Sequence, residues 1–464
     1  RIAHMIENDI DPFNIMALTF TNKAAREMTA RIGTIVGGSE AKNITMGTFH
    51  SVFSRILRFN ADRLGYPSNF TIYETQDSKG LLKDIVKSLN LDDKLYKAGT
   101  VLNRISSAKN NLISPEAYEM NAEIMKEDIQ SKHPEMVRIY KTYANRCFKA
   151  GAMDFDDLLY QTNVLLRDFP DVLQYYQQKF KYILVDEYQD TNYAQYLIVK
   201  KLAAVYENIC VVGDDWQSIN RFAGADISVM TEFRNMFGPG PRLELTTTFR
   251  CTQKICDVSS RFVSENPKQL KKQVKSSHIG AGEPVLLIRD GNPAQAIEKY
   301  LWRLSVKLSS DKSKKLKGIK TTVDLLGRYR HDKELMPKNL PPNLDVRFRT
   351  VHSAKGLEAD YVIIVNVKSG IYGFPSTIAD DQILDLAMSE GDSFEHAEER
   401  RLFYVALTRA RHQAVIISQP GMESPFVIEL DAYSEVEEIT SEGETKPALK
   451  ICNLCGQGAL VVRH

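Results

Sequence analysis

The chain has 464 residues, 43% of them apolar and 26% charged, enough for two or three domains with cores of their own. Lys and Arg total 60 against 59 Asp and Glu, so the net charge of +1 leaves a local basic groove, not a global field, to attract a polyanion. No apolar run approaches the roughly 20 residues of a bilayer-spanning helix, and six cysteines in so long a chain make no disulfide framework. A helical membrane span and a disulfide-stapled scaffold are therefore excluded, and a cytoplasmic location is expected.

Strand-like apolar runs are predicted at 15–20, 182–185, 209–212, 362–367 and 414–417, with helical patterns between them, as at 21–32 and 398–411. Strands alternating with helices specify parallel sheets covered on both faces, an α/β fold. Residues 76–178 are mainly helical and are read as an insertion in the first sheet domain, which takes 1–75 and 179–240. A second sheet domain is expected over 241–430, interrupted by a Ser- and Lys-rich loop at 308–320. The acidic stretch 431–447 reads as a linker.

Candidate chemistry recurs at the junctions of these elements. In Thr19-Phe20-Thr21-Asn22-Lys23, a strand runs into a helix whose first turn offers hydroxyl, amide and cation, a suitable phosphate cradle. Gly47-Thr48-Phe49-His50-Ser51 is a similar polar cluster, and plain helix capping explains both equally well. Tyr182-Ile183-Leu184-Val185-Asp186-Glu187 ends a buried strand in two carboxylates. The first suits Mg²⁺, and the second suits a water attacking a γ-phosphate. A core strand entering an acidic turn has the same pattern.

After the strand Cys210-Val211-Val212 come Gly213-Asp214-Asp215-Trp216-Gln217, where the Gln217 amide suits a γ-phosphate, and then Phe222, which suits base stacking or a core. Arg250, in Thr248-Phe249-Arg250, suits either a transferring phosphoryl group or a surface ion pair. Thr350-Val351-His352-Ser353-Ala354-Lys355-Gly356-Leu357-Glu358 and the basic-ended helical run from Glu398 to Arg411 complete the series.

Taken in order, these segments resemble the UvrD/Rep family of superfamily 1 DNA helicases, over nearly the whole chain. Trp216, the run Asn266-Pro267-Lys268 and Ala397-Glu398-Glu399-Arg400-Arg401 are most similar to its helicase IV branch. The family usually has Tyr where this chain has Asn220 and Arg where it has Ala223. The resemblance implies two RecA-like parallel-sheet domains of the P-loop NTPase fold, with ATP bound between them and single-stranded DNA across both. It implies Asp186 on Mg²⁺, Glu187 as catalytic base, Gln217 on the γ-phosphate, Arg250 and Arg409 as arginine fingers, Phe249 by the adenine and Glu358 on the ribose. Phe20, Thr21, Asn22, Thr48, His50, Phe222 and His352 would line the DNA track.

The implied function is an ATP-dependent helicase, 3′ to 5′, acting on single strands and duplex junctions in DNA repair, recombination or replication. The rivals are a helicase subunit of a recombination helicase–nuclease and a DNA-binding pseudo-helicase without ATPase. No Gly-x-x-x-x-Gly-Lys-Ser/Thr run occurs in the sequence. The expectation is a fragment lacking the Walker A strand and loop, with an incomplete first domain, inactive by itself. The tail 448–464, with Cys452 and Cys455, resembles the front half of a zinc ribbon, so that Zn²⁺ would bind only in a longer protein.

Overall fold

The computed structural model describes the chain except residues 279, 281, 310–319, 379–393, 446–449, 452–458 and 461–464. Two compact units are present; the first holds Arg1–Pro241 and the second begins at Arg242.

In the first unit, β1 (Ile15–Thr19) is buried at all five residues. An apolar run without polar alternation is what a parallel sheet covered on both faces requires. It lies between β2 (Thr45–Thr48) and, further along the chain, β5 (Tyr182–Val185), with β6 (Ile209–Val211) at the far edge, all parallel. On one face Met16, Leu18, Ile183 and Val185 pack with residues from helices Phe49–Phe59, Phe155–Asp168 and Tyr193–Ala203. On the other, Ile15 and Ala17 meet Ile2, Met5, Ile32, Ala41 and Ile44, while Tyr182, Leu184 and Cys210 stay half-buried.

The insertion leaves and returns through a short parallel pair, β3 (Thr71–Tyr73) and β4 (Ala152–Asp154), that the sequence pattern did not show. Its own core, including Leu82, Ile105, Tyr118, Ile139 and Tyr143, ends at Cys147. Helices Phe155–Asp168 and Pro170–Lys179 contribute instead to the core of the sheet. The boundary at 178 is therefore corrected to the β3–β4 neck. An amphipathic pattern reports that a helix has an apolar face and not which core receives it.

At that neck the Lys109 ammonium is buried 2.7 Å from Asp154 and 2.7 Å from Asp157. Burial opposes its charge, but the two carboxylates outweigh burial and hold its pKa well above the usual lysine value.

The second unit is built on six parallel strands in the order β11-β10-β12-β13-β9-β14. They are β9 (Val285–Arg289), β10 (Thr321–Gly327), β11 (Leu344–Thr350), β12 (Ala359–Ile364), β13 (Ala410–Ser418) and β14 (Val436–Ile439), preceded by the small pair β7 (Thr247–Thr248) and β8 (Lys275–Ser276). Helix Pro293–Ser309 lays Ile297, Tyr300, Leu301 and Leu304 on one face. Helices Gln253–Ser264, Ala397–Leu407 and Pro425–Leu430 supply a second apolar cluster, where the Phe262 ring lies 5.1 Å from Phe403 and 4.9 Å from Phe426.

Two expectations change here. The predicted linker contains β14, because main-chain pairing with β9 does not depend on its acidic side chains. The helix expected to reach Arg411 ends at Leu407, and Ala410 already opens β13.

Cys452 and Cys455 lie outside the described residues. Among the described residues no cluster of three or more His, Cys, Asp or Glu is placed to hold a metal ion, and no helix is long and apolar enough to cross a membrane.

Candidate functional site

The parallel arrangement of the first sheet brings its candidates to one edge, the carboxyl ends of the strands, where open α/β sheets place ligands. Past β1, Phe20 is 37% exposed, and the Thr21 hydroxyl accepts from the Ala24 N–H at 3.1 Å, capping helix Asn22–Val36 with Asn22 and Lys23 exposed in its first turn. Past β2, the Thr48 hydroxyl caps helix Phe49–Phe59 through Ser51 N–H at 3.2 Å. His50 follows, its ring edge-on to Phe155 at 5.6 Å, and burial lowers its pKa to about 4. The ring is therefore neutral at pH 7.

Past β5, Asp186 and Glu187 stand side by side. Burial, then the Glu187 charge, raise the Asp186 carboxyl above its usual range. Glu187 adopts φ 52° and ψ 41°, a left-handed turn uncommon for a residue with a side chain. Its carboxylate accepts from Gln189 Nε2 at 2.6 Å. Fully buried Gln189 in turn accepts from the Asp214 N–H at 3.0 Å, and Gln217 Nε2 donates to the Asp214 carboxylate at 2.7 Å. A continuous chain thus runs from Glu187 through Gln189 and Asp214 to Gln217, joining the ends of β5 and β6.

Gly213 makes this approach possible, since a Cβ there would stand 2.6 Å from Gln189 Oε1. Sequence reasoning gave Gln189 no role, although its place two residues after Glu187 was visible. Among the described residues no Lys or Arg pairs with Asp186 or Glu187. Two adjacent carboxylates, one strained by burial and repulsion, fit a hard divalent cation. Phe222, beyond β6, is 63% exposed.

In the second unit the arrangement differs. Glu358 immediately precedes β12, and Arg409 and Arg411 flank the start of β13, so these residues meet at the amino ends of the strands. The Arg250 Nε donates to Glu358 at 3.2 Å, and Arg411 donates to its other oxygen. Hydrogen bonds from Arg411 and then Arg250 hold the Glu358 carboxyl below its usual range, with burial opposing.

Arg409 is buried, with Nε donating to the Val405 carbonyl at 3.0 Å and one terminal nitrogen to the Leu357 carbonyl at 3.2 Å. Phe249 is 80% exposed beside Arg250. His352 sits apart, at the carboxyl end of β11, in a turn capped by Thr350. Arg411 was quoted in its run without a role; only the fold shows that it shares Glu358 with Arg250.

Comparison with known proteins identifies the family. The UvrD/REP helicase N-terminal domain family matches residues 1–238, and the UvrD-like helicase C-terminal domain family matches residues 331–420. A protein named ATP-dependent DNA helicase PcrA from Staphylococcus epidermidis is 42% identical over 282 residues, covering 60% of this chain and 38% of that protein. The Staphylococcus aureus protein of the same name is 41% identical over 273 residues, 59% of this chain and 36% of its own length. The chain thus spans less than two fifths of the relatives it matches. A solved structure titled the structure of PRRSV helicase aligns with 52% of this chain and 35% of its own, at 17% identity and a TM-score of 0.27, which carries no argument. With the N-terminal family covering more than half of its length, this chain belongs to the UvrD/REP helicase family.

Proposed function

We propose that this chain forms the motor core of an ATP-dependent DNA helicase that moves 3′ to 5′ along single strands and acts at duplex junctions. The observation that carries the reading is the hydrogen-bonded chain from Glu187 to Gln217 beside Asp186. The names of the Staphylococcus relatives support the activity, and the order of the motifs supports polarity and a place in DNA repair, recombination or replication.

In this reading Asp186 holds Mg²⁺, which supplies charge neutralisation at the phosphates when bound. Glu187 orients a water and takes its proton, and the Gln189 amide fixes the carboxylate that does so. Gln217 contacts the γ-phosphate, so that its presence is felt through Asp214 at the base. Arg250 and Arg409 stabilise charge on the transferring group. Glu358 binds the ribose and Phe249 packs at the adenine. Phe20 and Phe222 stack on bases, while Thr21, Asn22, Thr48, neutral His50 and His352 make polar contacts along the strand.

The paired carboxylates favour an enzyme over a DNA-binding pseudo-helicase. A P-loop motor needs backbone N–H groups and a Lys around its phosphates. The 464 residues hold no such run, so the chain as given is proposed not to turn over ATP.

The test is Glu187→Gln in a protein with a P-loop segment supplied ahead of Arg1. ATPase falls by about 10²–10⁴, the usual worth of a general base, and single-strand affinity stays within a few fold. Equal loss of both would make the carboxylate structural and remove the proposal.

A further inference from the structure

Beside Arg250 lies a pair of thiols that the helicase reading does not use. The Cys251 and Cys256 sulfurs are 3.4 Å apart, and both residues are buried. Cys256 is fixed in the first turns of helix Gln253–Ser264, its N–H bonded to the Thr252 carbonyl at 3.1 Å. Cys251 lies before the helix, in irregular chain held by the Ser276 hydroxyl on its carbonyl at 2.7 Å.

Their surroundings are unequal. The Cys256 hydrogen bond, then Arg250 and Thr248, pull the Cys251 thiol below its usual range against burial, while its bond to Cys251 and burial push Cys256 up. The two sulfurs thus lean opposite ways, Cys251 toward thiolate and Cys256 toward thiol, the division of labour between an attacking and a resolving cysteine.

The geometry points to a reversible disulfide site at Cys251–Cys256, formed by a hydroperoxide, that displaces Arg250 from Glu358. The Cys251 thiolate attacks one peroxide oxygen, breaking the O–O bond and giving a sulfenic acid and hydroxide. The Cys256 sulfur then attacks the sulfenic sulfur, breaking its S–O bond; its proton and the hydroxyl leave as water. With hydrogen peroxide, two thiols and one peroxide give one disulfide and two waters, and both sulfurs are oxidised while both peroxide oxygens are reduced.

An S–S bond of about 2.05 Å needs the sulfurs to close by more than an ångström. The helix holds Cys256, so the closure falls on Cys251, and Arg250, its neighbour along the chain, is the side chain whose 3.2 Å contact with Glu358 it disturbs. Hydrogen peroxide is little larger than water, which suits a buried pair whose chain neighbours Phe249 and Arg250 are exposed and half-buried. The consequence for ATP turnover rests on Arg250 being a finger; the disulfide itself does not.

Trypsin cuts after Arg250, Lys254 and Arg261, separating Cys251–Lys254 from Ile255–Arg261, so a digest of the peroxide-treated chain reads the bond directly. The expected result is a linked pair of these peptides, two hydrogens lighter than their sum, that dithiothreitol separates. Hydrogen exchange of the backbone around Arg250 also rises on oxidation and returns on reduction. Recovery of both cysteines as free thiols, or as sulfinic or sulfonic acids, while half-buried Cys210 is oxidised would overturn the site. Linked peptides with unchanged exchange around Arg250 would overturn its coupling to Arg250.

Discussion

The two sheets present their chemistry at opposite edges. In the first, every candidate follows the carboxyl end of a strand: Phe20 and Thr21, Thr48 and His50, Asp186 and Glu187, and Gly213 to Gln217. In the second, Glu358, Arg409 and Arg411 lie at the amino ends of β12 and β13, where Arg250 joins Glu358 from beyond β7, while His352 follows the carboxyl end of β11. The rule that ligands sit beyond the carboxyl ends of parallel strands therefore finds the carboxylates and misses the guanidiniums. The sheets differ in cover as well: β12 and β13 are almost wholly buried, while β5 is half-buried on one face and β6 at all three of its residues. A firm platform carries the cations, and a less covered one carries the carboxylates.

Arg409 gives the sharpest test of the amino-end cluster. With a P-loop supplied, Arg409→Ala lowers ATP turnover about 10³-fold or more if the guanidinium meets the transition state. A loss of tenfold or less would leave Arg409 as a buried side chain that holds the Val405 and Leu357 carbonyls and would remove it from the chemistry of the cluster.

Lys109 tests whether the insertion is anchored by charge. Removing one partner of a buried ion pair costs about 3–5 kcal/mol, so Lys109→Ala lowers the urea midpoint of the first unit and leaves that of the second unchanged. Unchanged unfolding would show that the cores on either side of the β3–β4 neck hold it without the lysine.

Phe222 tests the carboxyl edge as a DNA track. Phe222→Ala weakens single-strand binding by about 1–3 kcal/mol, the worth of one stacked base, without preference among sequences. Unaltered affinity would move the track off this edge.

His50 supplies the smallest and most specific signal. Its folded pKa of about 4 lies below the ordinary histidine value of 6.5. Its contribution is therefore complete above 6.5 and is lost as pH falls toward 4, because the unfolded chain takes up a proton that the folded chain refuses. Between pH 7 and 4, the wild type loses more stability than His50→Gln, and the His50 ring resonances do not titrate near 6.5. Titration at the ordinary value would place the ring in open solvent.

Much of this was legible in the sequence. The run Ile15-Met16-Ala17-Leu18-Thr19 specifies a buried strand, and Thr21 and Thr48 mark the helix starts that they cap. The order of short motifs fixed the family, because each is tied to the end of an element. What the sequence determined is local: apolar period, capping and the residue types at each junction.

Tertiary structure decided the rest, because it depends on which segments meet. It assigned helix Phe155–Asp168 to the first sheet and turned part of an acidic linker into β14. It placed Gln189 between Glu187 and Asp214, across 25 residues, and joined Arg250 to Glu358 across 108. A side chain's partner beyond its own turn is set by strand order and register, and no pattern within one segment carries that information.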